Sequence, residues 1–202
     1  MRKVSTEICA WGITCAHGTI KTPFCSRREA TPERAFSLKQ QRCLRCGRAE
    51  SLNRHSFLYG NDLDESGQQK KRGQRVFCSD RGQRGGCGKT FSIFLAEVLP
   101  RHSCTATGLR QLLVKLLAGG SVQAAARSLR LPLALESIYH LLGRLRRRLD
   151  AVRCSLCGRQ APAASSQKDP LLQTVEHLQS VFPGSVCPVS EFQLVFQQPL
   201  LG

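Results

Sequence analysis

The sequence predicts an α+β protein, in which a small β-hairpin region precedes a three-helix domain and a cysteine-containing helical tail. Three observations support this class. Paired cysteines flank two short aromatic runs, leucines recur at helical spacing after residue 105, and basic residues concentrate in these central segments. We divide the 202 residues into an N-terminal arm (1–41), a hairpin region (42–94), a helical domain (105–150) and a tail (154–202).

The charge of the chain is strongly positive and unevenly spread. Thirty basic residues stand against fourteen acidic ones, giving a formal net charge of +16 and a pI near 10.0. Between Lys70 and Lys89 seven basic residues face Asp80 alone, and between Arg101 and Arg153 ten face two acids. Such a balance favours a polyanionic partner, either nucleic acid or an anionic membrane surface.

The cysteine count indicates metal binding. No stretch approaches ~18 consecutive apolar residues, and the basic start Met1-Arg2-Lys3 is not followed by a sustained apolar run. We therefore expect a cytoplasmic protein without a membrane partner. Structural disulfides are rare in that compartment, so a metal explains eleven cysteines better than cross-links do.

The segment Cys43-Leu44-Arg45-Cys46-Gly47 has the form of a zinc knuckle, because two thiolates two residues apart can bind one ion from a tight turn. Cys78 and Cys87 form the second half, and Gly88 repeats the glycine that follows the first pair. Eight residues separate them instead of the usual spacing of roughly two to four. This Gly- and Arg-rich insert can loop out without moving the sulfurs.

Two strand-like runs, Ser56–Tyr59 and Gln74–Phe77, flank a polar turn from Asn61 to Gly73. A hairpin there brings Cys46 and Cys78 together, as a zinc ribbon requires. Four thiolates around one zinc ion make a closed, structural site. The sequence therefore predicts a zinc ribbon over residues 42–94.

Two further features of this region remain open from the sequence. The cysteines can also be buried or unpaired thiols, and His55 is a possible substitute ligand. Arg81 and Arg84 lie in the insert between Cys78 and Cys87, and we expect them to contact phosphates.

Helical periodicity begins at Leu109 and ends at Gly119-Gly120. Ser121 is a good N-cap for a second helix from Val122 to Leu129. A third helix is predicted from about Leu135 to Leu149. Its apolar side is expected to comprise Leu135, Ile138, Leu142, Leu145 and Leu149.

Two short helices followed by a longer basic helix predict a helix-turn-helix, with the third helix in the major groove. An ordinary three-helix bundle with a solvated basic face is the alternative. The base-reading candidates are Glu136, Ser137, His140 and Arg144. The phosphate-contacting candidates are Arg146, Arg147 and Arg148.

The run Arg75-Val76-Phe77-Cys78, together with the run from Cys87 to Ser92 (CGKTFS) and the helices that follow, resembles the N-terminal part of bacterial insertion-sequence transposases. The resemblance covers residues 42–150 and implies binding to transposon ends or to a related operator. Such transposases carry a separate catalytic domain with three dispersed carboxylates on an RNase H-like fold. The 52 residues after this region are too few for that fold, so we expect no enzymatic activity. The acids in question are Asp169, Glu176 and Glu191.

Cys154 and Cys157 form a second Cys-x-x-Cys pair, which we interpret as a second zinc knuckle. His177 and Cys187 are downstream candidates for its remaining ligands. The upstream candidates are His102 and Cys104. The alternative is a helix that simply packs on the core, with His177 at its edge.

The N-terminal arm offers a third set of metal ligands, or else a basic arm that touches phosphates. The possible ligands are Cys9, Cys15, His17 and Cys25, and the arginines are Arg27, Arg28 and Arg34.

The function predicted from these features is zinc-containing, sequence-specific binding of double-stranded DNA, as a transcriptional regulator or a transposon accessory protein. Further partners are a transposase or a second copy of this chain, which the apolar segment 169–202 is suited to contact. No small-molecule substrate is expected. The alternatives are an RNA-binding zinc ribbon protein, a transposase remnant without its catalytic domain, and thiol-disulfide chemistry at the cysteine pairs.

Overall fold

The computed structural model describes residues 23–25, 38–39, 41–61, 69–82, 85–129 and 133–202. These residues form a four-stranded sheet followed by five helices, which confirms the α+β class. The strands are β1 (Phe24–Cys25), β2 (Leu52–Asn61), β3 (Gln69–Cys78) and β4 (Thr90–Leu95). The helices are α1 (Ala106–Leu117), α2 (Val122–Ser128), α3 (Leu135–Cys157), α4 (Pro170–Val181) and α5 (Pro188–Phe196).

The strand order in the sheet is β1-β4-β3-β2. β2 and β3 pair antiparallel, with Leu52 opposite Cys78 and Asn61 opposite Gln69. The predicted hairpin is therefore confirmed, and both strands extend beyond the predicted aromatic runs. β4 adds antiparallel to β3, and β1 lies parallel to β4 at the edge.

One face of the sheet is apolar because successive strand residues point to opposite faces. In β3, Val76 and Cys78 are fully buried, whereas Arg75 before them is exposed and Phe77 between them is half-buried. Leu52 in β2 and Ile93 in β4 are buried in the same cluster of side chains.

Side-chain caps start the first two helices. The Thr105 Oγ1 atom accepts a hydrogen bond from Gly108 N at the start of α1 (3.1 Å). The Ser121 Oγ atom accepts one from Ala124 N at the start of α2 (3.2 Å), which confirms the predicted N-cap.

α3 is longer than predicted and continues eight residues past Leu149, to Cys157. The sequence from Asp150 to Cys157 contains neither glycine nor proline, so nothing in it stops the helix before Gly158. The predicted boundary between a helical domain and a separate tail therefore lies within one helix. Ile138, Leu142 and Leu145 are buried as predicted, but Leu135 is partly exposed, at 36%.

The five helices share one hydrophobic core, which extends from Leu99 to Leu201. The apolar side chains of the C-terminal segment, such as Leu178 and Phe192, are buried in it. This corrects the expectation that segment 169–202 offers a free apolar surface to a second copy, because those side chains already pack against α1 and α3 of the same chain.

Two buried glutamines, Gln193 in α5 and Gln197 at its C-cap, connect the helices to the sheet. The Gln193 Nε2 atom donates to Ala96 O (2.7 Å) and Val98 O (2.9 Å). Gln197 pairs with the backbone of Phe24 in β1, accepting from its N–H (2.8 Å) and donating to its carbonyl oxygen (3.1 Å). Because these hydrogen bonds are buried, they fix the edge of the sheet against α5.

None of the helices in the described part of the chain is both long and apolar enough to cross a lipid bilayer.

Candidate metal centre and basic surface

Four cysteines come together at one end of the sheet. Cys43 and Cys46 lie in the turn before β2, Cys78 ends β3, and Cys87 precedes β4. Their four Sγ atoms all lie within 4.8 Å of one another. The Cys43–Cys87 and Cys46–Cys78 sulfur pairs are 3.8 and 3.7 Å apart, far beyond a disulfide bond of about 2.05 Å. The four thiols can therefore hold a metal ion.

The sulfur distances suit a tetrahedral site. For a zinc–sulfur distance of about 2.3 Å, the edge of a regular tetrahedron of sulfurs is about 3.8 Å. The Cys46–Cys78 and Cys43–Cys87 sulfur–sulfur distances, 3.7 and 3.8 Å, match that edge. Cys43 and Cys78 are buried, Cys87 is half-buried and Cys46 is exposed, so the cluster opens to solvent on the side of Cys46.

The first half of the cluster is a tight turn. Gly47 N donates to Cys43 O (2.8 Å), and Arg45 N donates to the Cys43 Sγ atom (3.4 Å). Gly47 has a φ of +70°, a left-handed conformation that glycine adopts without steric cost. This geometry explains why a glycine follows the second cysteine of the pair.

The second half repeats this arrangement despite its longer spacing. Gly88 N donates to Cys78 O (3.0 Å), and Cys87 N donates to the Cys78 Sγ atom (3.3 Å). The insert is closed at its base by Gly86 N, which donates to Ser79 O (2.8 Å). The two described ends of the insert therefore meet beside the cluster, and Cys87 joins the other three cysteines.

Gly86 cannot be replaced by a larger residue without movement of the site. A Cβ atom at this position would lie 2.2 Å from Ser79 O and 2.7 Å from the Cys78 Sγ atom. The close approach of backbone to sulfur thus requires glycine at this position.

Ser51 was not among the predicted residues, but it contacts the cluster. It is fully buried, and its Oγ atom lies 3.2 Å from the Cys78 Sγ atom. Burial alone acts to raise the pKa of Cys78, but the Ser51 hydroxyl and the Cys87 N–H outweigh it and lower that pKa to about 7. At Cys43 burial dominates and raises the pKa to about 12 without metal.

His55 is not part of the cluster. It is exposed on β2, and its Nδ1 atom lies 3.3 Å from the Ser56 hydroxyl. Arg81 is exposed in the insert, as a phosphate-contacting residue must be, and Arg84 lies outside the described residues. Four more exposed cations stand around the cluster. They are Arg42, Arg45, Arg48 and Lys89.

The predicted base-reading residues all lie in the N-terminal half of α3 and are exposed there. They are Glu136, Ser137, His140 and Arg144. Tyr139, which was not predicted, is 48% exposed in the same stretch. α2 packs against α1 and α3 and buries Ala125.

The three arginines of α3 that are predicted to contact phosphates differ in their surroundings. Arg147 is exposed, whereas Arg146 forms an exposed ion pair with Asp169 (3.0 Å). Arg148 is half-buried, and its Nη2 atom donates to Pro199 O (3.1 Å). The Arg148 guanidinium therefore contacts the C-terminal segment of its own chain, and its role as a phosphate contact stays a prediction.

Cys154 and Cys157 lie in the last turn of α3 and are exposed, so they form part of a helix rather than a knuckle turn. The candidate ligand His177 is 5% exposed, and its Nε2 atom lies 2.8 Å from Gln160 O. Within the described ranges, only Cys43, Cys46, Cys78 and Cys87 form a group of three or more metal-binding side chains. The second zinc site stays a prediction without a third ligand. Of the proposed N-terminal ligands, Cys25 is buried in β1, and Cys9, Cys15 and His17 lie outside the described residues.

An aromatic and cationic patch on the hairpin was also missed. Tyr59 is 59% exposed and stacks edge-on against Phe57, with ring centroids 6.4 Å apart. The Arg54 guanidinium and the Lys71 ammonium lie over the Phe57 ring, 5.0 and 4.0 Å from its centroid. Burial and the charge of Arg54 lower the pKa of Lys71. A β-bulge between Arg54 and Ser56 places these side chains together, which strand alternation alone does not predict.

Comparison of the chain with protein-family models, with curated proteins and with solved structures finds no match.

Proposed function

We propose that this protein is a zinc-containing DNA-binding protein that reads duplex DNA with the N-terminal half of α3. The observation that carries the proposal is the exposed side of that helix, which presents Ser137, His140 and Arg144 to solvent while α2 packs behind it. A helix supported in this way fits the major groove, whose base edges accept hydrogen bonds from arginine and histidine.

The charge of the chain supports a nucleic-acid partner. The net charge is +16. Exposed cations occur beside the four-cysteine cluster, among them Arg45 and Arg81, and on the helices, among them Arg147 on α3. Such residues bind phosphates and add affinity with little sequence information. The proposed roles of the protein are transcriptional regulation or accessory function in transposition.

The metal proposed for the four-cysteine cluster is zinc in a structural role. Four thiolates close its coordination sphere, which leaves no open position for a substrate. The proposal includes no catalytic step. Two carboxylates of the tail have local partners, since Asp169 caps α4 and pairs with Arg146, and Glu176 accepts a hydrogen bond from Ser165.

Selection of binding sites from random duplex DNA, followed by titration of the selected site, tests the proposal. Arg144→Ala is expected to weaken binding to the selected site by roughly 5- to 150-fold, because a good arginine–base pair contributes about 1–3 kcal/mol. Arg159→Ala is the matched control, since this exposed arginine lies beyond the other end of α3. Equal loss in both variants, or no sequence preference, contradicts the proposal.

Metal analysis of a Cys154→Ser/Cys157→Ser variant tests zinc binding at the four-cysteine cluster without a contribution from the second cysteine pair. About one zinc ion per chain is expected there, and an additional Cys43→Ser substitution is expected to remove it. Retention of zinc after loss of Cys43 contradicts the assignment.

Binding of single-stranded RNA is the second candidate function, and the hairpin patch is the observation that favours it. Proteins that bind single strands stack bases on exposed aromatic rings beside cations. Here the exposed Tyr59 ring contacts Phe57, over which the Arg54 guanidinium lies. Competition between single-stranded RNA and duplex DNA separates the two candidates. If RNA binds more tightly and Tyr59→Ala removes that binding while Arg144→Ala does not, the RNA function is the correct one.

A further inference from the structure

The last turn of α3 presents two thiols to solvent on neighbouring positions. Cys154 and Cys157 are both exposed and three residues apart, so their side chains are adjacent on the helix surface. Cysteine is among the residue types most often fully buried. The other described cysteines outside the metal cluster follow that rule more closely, since Cys25 and Cys104 are buried and Cys187 is half-buried. The exposed cysteine pair on one face of α3 departs from this rule and is therefore a candidate ligand-binding site.

The spacing of the pair suits two ligands of a single metal ion. Cβ atoms at positions i and i+3 of a helix are about 5–6 Å apart, so side-chain rotation can bring the two sulfurs to the separation of about 3.8 Å in a four-thiolate zinc site. A pair alone fills only half of that coordination sphere. The site thus needs two more ligands.

The described part of this chain does not supply them. No third cysteine, histidine or carboxylate forms a group with the pair there. The Nε2 atom of His177 lies 2.8 Å from a carbonyl oxygen, that of Gln160, so it carries the proton and donates. The lone pair is then on its Nδ1 atom, and His177 forms no group of metal-binding side chains with the two thiols among the described residues.

We propose that a second copy of this chain completes the site, so that one zinc ion joins the Cys154–Cys157 pairs of two α3 helices. With the ligands of the described residues alone, each half is incomplete without the other copy. The thiols lose their protons to solvent as the ion binds, and the step needs no oxidant. Two of the neighbouring positions on this face, Ala151 and Gly158, are exposed and small, which leaves room beside the thiols.

The place of this site on α3 sets the geometry of the dimer. Cys154 lies fourteen residues after His140, which corresponds to about 21 Å along the helix. Two copies joined at this end hold their His140 positions up to about 42 Å apart. This range includes the 34–36 Å, roughly, between half-sites one turn apart on DNA. Only the comparison with the half-site spacing rests on the proposed DNA function. The metal-joined dimer does not depend on it.

Light scattering coupled to size exclusion and metal analysis of the full, reduced chain test the proposal without DNA. The wild type is expected to be a dimer with about 1.5 zinc ions per chain, one from the four-cysteine cluster and half of the shared ion. The Cys154→Ser/Cys157→Ser variant is expected to be a monomer with about one. Cys187→Ser is the matched control and is expected to remain dimeric.

Far-UV circular dichroism verifies that each variant is folded. A wild-type monomer overturns the proposal, as does a monomer with two zinc ions, whose ligands must then come from one chain. A dimer that persists in the double variant overturns it too, because the thiols then do not join the copies.

Discussion

Nine apolar residues of the described chain are buried in the core beside the sheet, whereas twenty-two are buried in the core of the five helices. Three of the nine are cysteines, and two of these, Cys43 and Cys78, belong to the metal cluster. Such a small apolar core contributes little stability by itself, and small folds of this kind commonly depend on metals or disulfides. The two regions therefore differ in what holds them together, and this difference can be tested.

Metal removal is expected to unfold the sheet region and to leave the five helices folded. Structural zinc contributes about 10–16 kcal/mol in zinc-finger peptides, far more than a core of this size can replace. Hydrogen exchange with and without a strong chelator measures this region by region. Protection is expected to disappear in β2 and β3 and to persist in α1 and α3.

A substitution in the other core provides the reverse control. Phe192 is fully buried in the helical core, so Phe192→Ala is expected to destabilise the helices by about 3–5 kcal/mol. Its metal content is expected to equal that of the wild type. If chelation melts the helices together with the sheet, the two regions form one cooperative unit and the comparison fails.

A smaller effect is expected at the junction of the two regions. Gln193→Leu leaves the carbonyl oxygens of Ala96 and Val98 without their buried donor, which costs about 1–3 kcal/mol. Chemical denaturation measures this loss. Gln198→Leu is the matched control, because Gln198 donates to the Ser155 hydroxyl within the helical region. Equal effects of both substitutions would show that the junction has no special role.

The smallest expected effect is a pH dependence at His102, which lies in the link between the regions. Burial, together with the charges of Arg144 and Arg72, lowers the pKa of His102. The unfolded chain then binds more protons than the folded one, so stability decreases as the pH falls below about 6.5, the ordinary pKa of histidine, towards the lowered folded value. Unfolding titrations between neutral and mildly acidic pH test this.

His102→Asn is expected to flatten that dependence, and His55→Asn, at an exposed position, is expected to leave it unchanged. A dependence that survives in His102→Asn must come from another group.

The parts of the fold that were predicted correctly depend on local signals. The hairpin follows from two strand-like runs around a polar turn, and the start of α2 follows from a serine before an apolar stretch. β1 escapes such reasoning because it has two residues and pairs with β4, about seventy positions later in the chain. Its pairing depends on tertiary contacts, among them those of Gln197 with Phe24.

In the candidate site, too, some residues are predictable from local sequence signals, whereas others depend on tertiary contacts. Cys43 and Cys46 are recognisable from spacing and the glycine that follows, whereas the contact of Ser51 with Cys78 requires the register of β2 against β3. Arg148 belongs to a run of three arginines in the sequence, and only its contact with Pro199 distinguishes it from its neighbours. The end of α3 was misjudged because Cys-x-x-Cys-Gly is compatible with both a knuckle and a helix end.

The hydrogen bond from Gly86 to Ser79 has a consequence for chain entropy. This bond closes the insert at its base. The positions of the Cys78 and Cys87 sulfurs therefore do not depend on how many residues the insert contains. Closing a loop of eight residues rather than two costs only about 1.2 kcal/mol, since the entropy of closure grows with the logarithm of length. Insertions at this position are therefore thermodynamically mild, and a search for metal sites by fixed cysteine spacing overlooks sites of this kind.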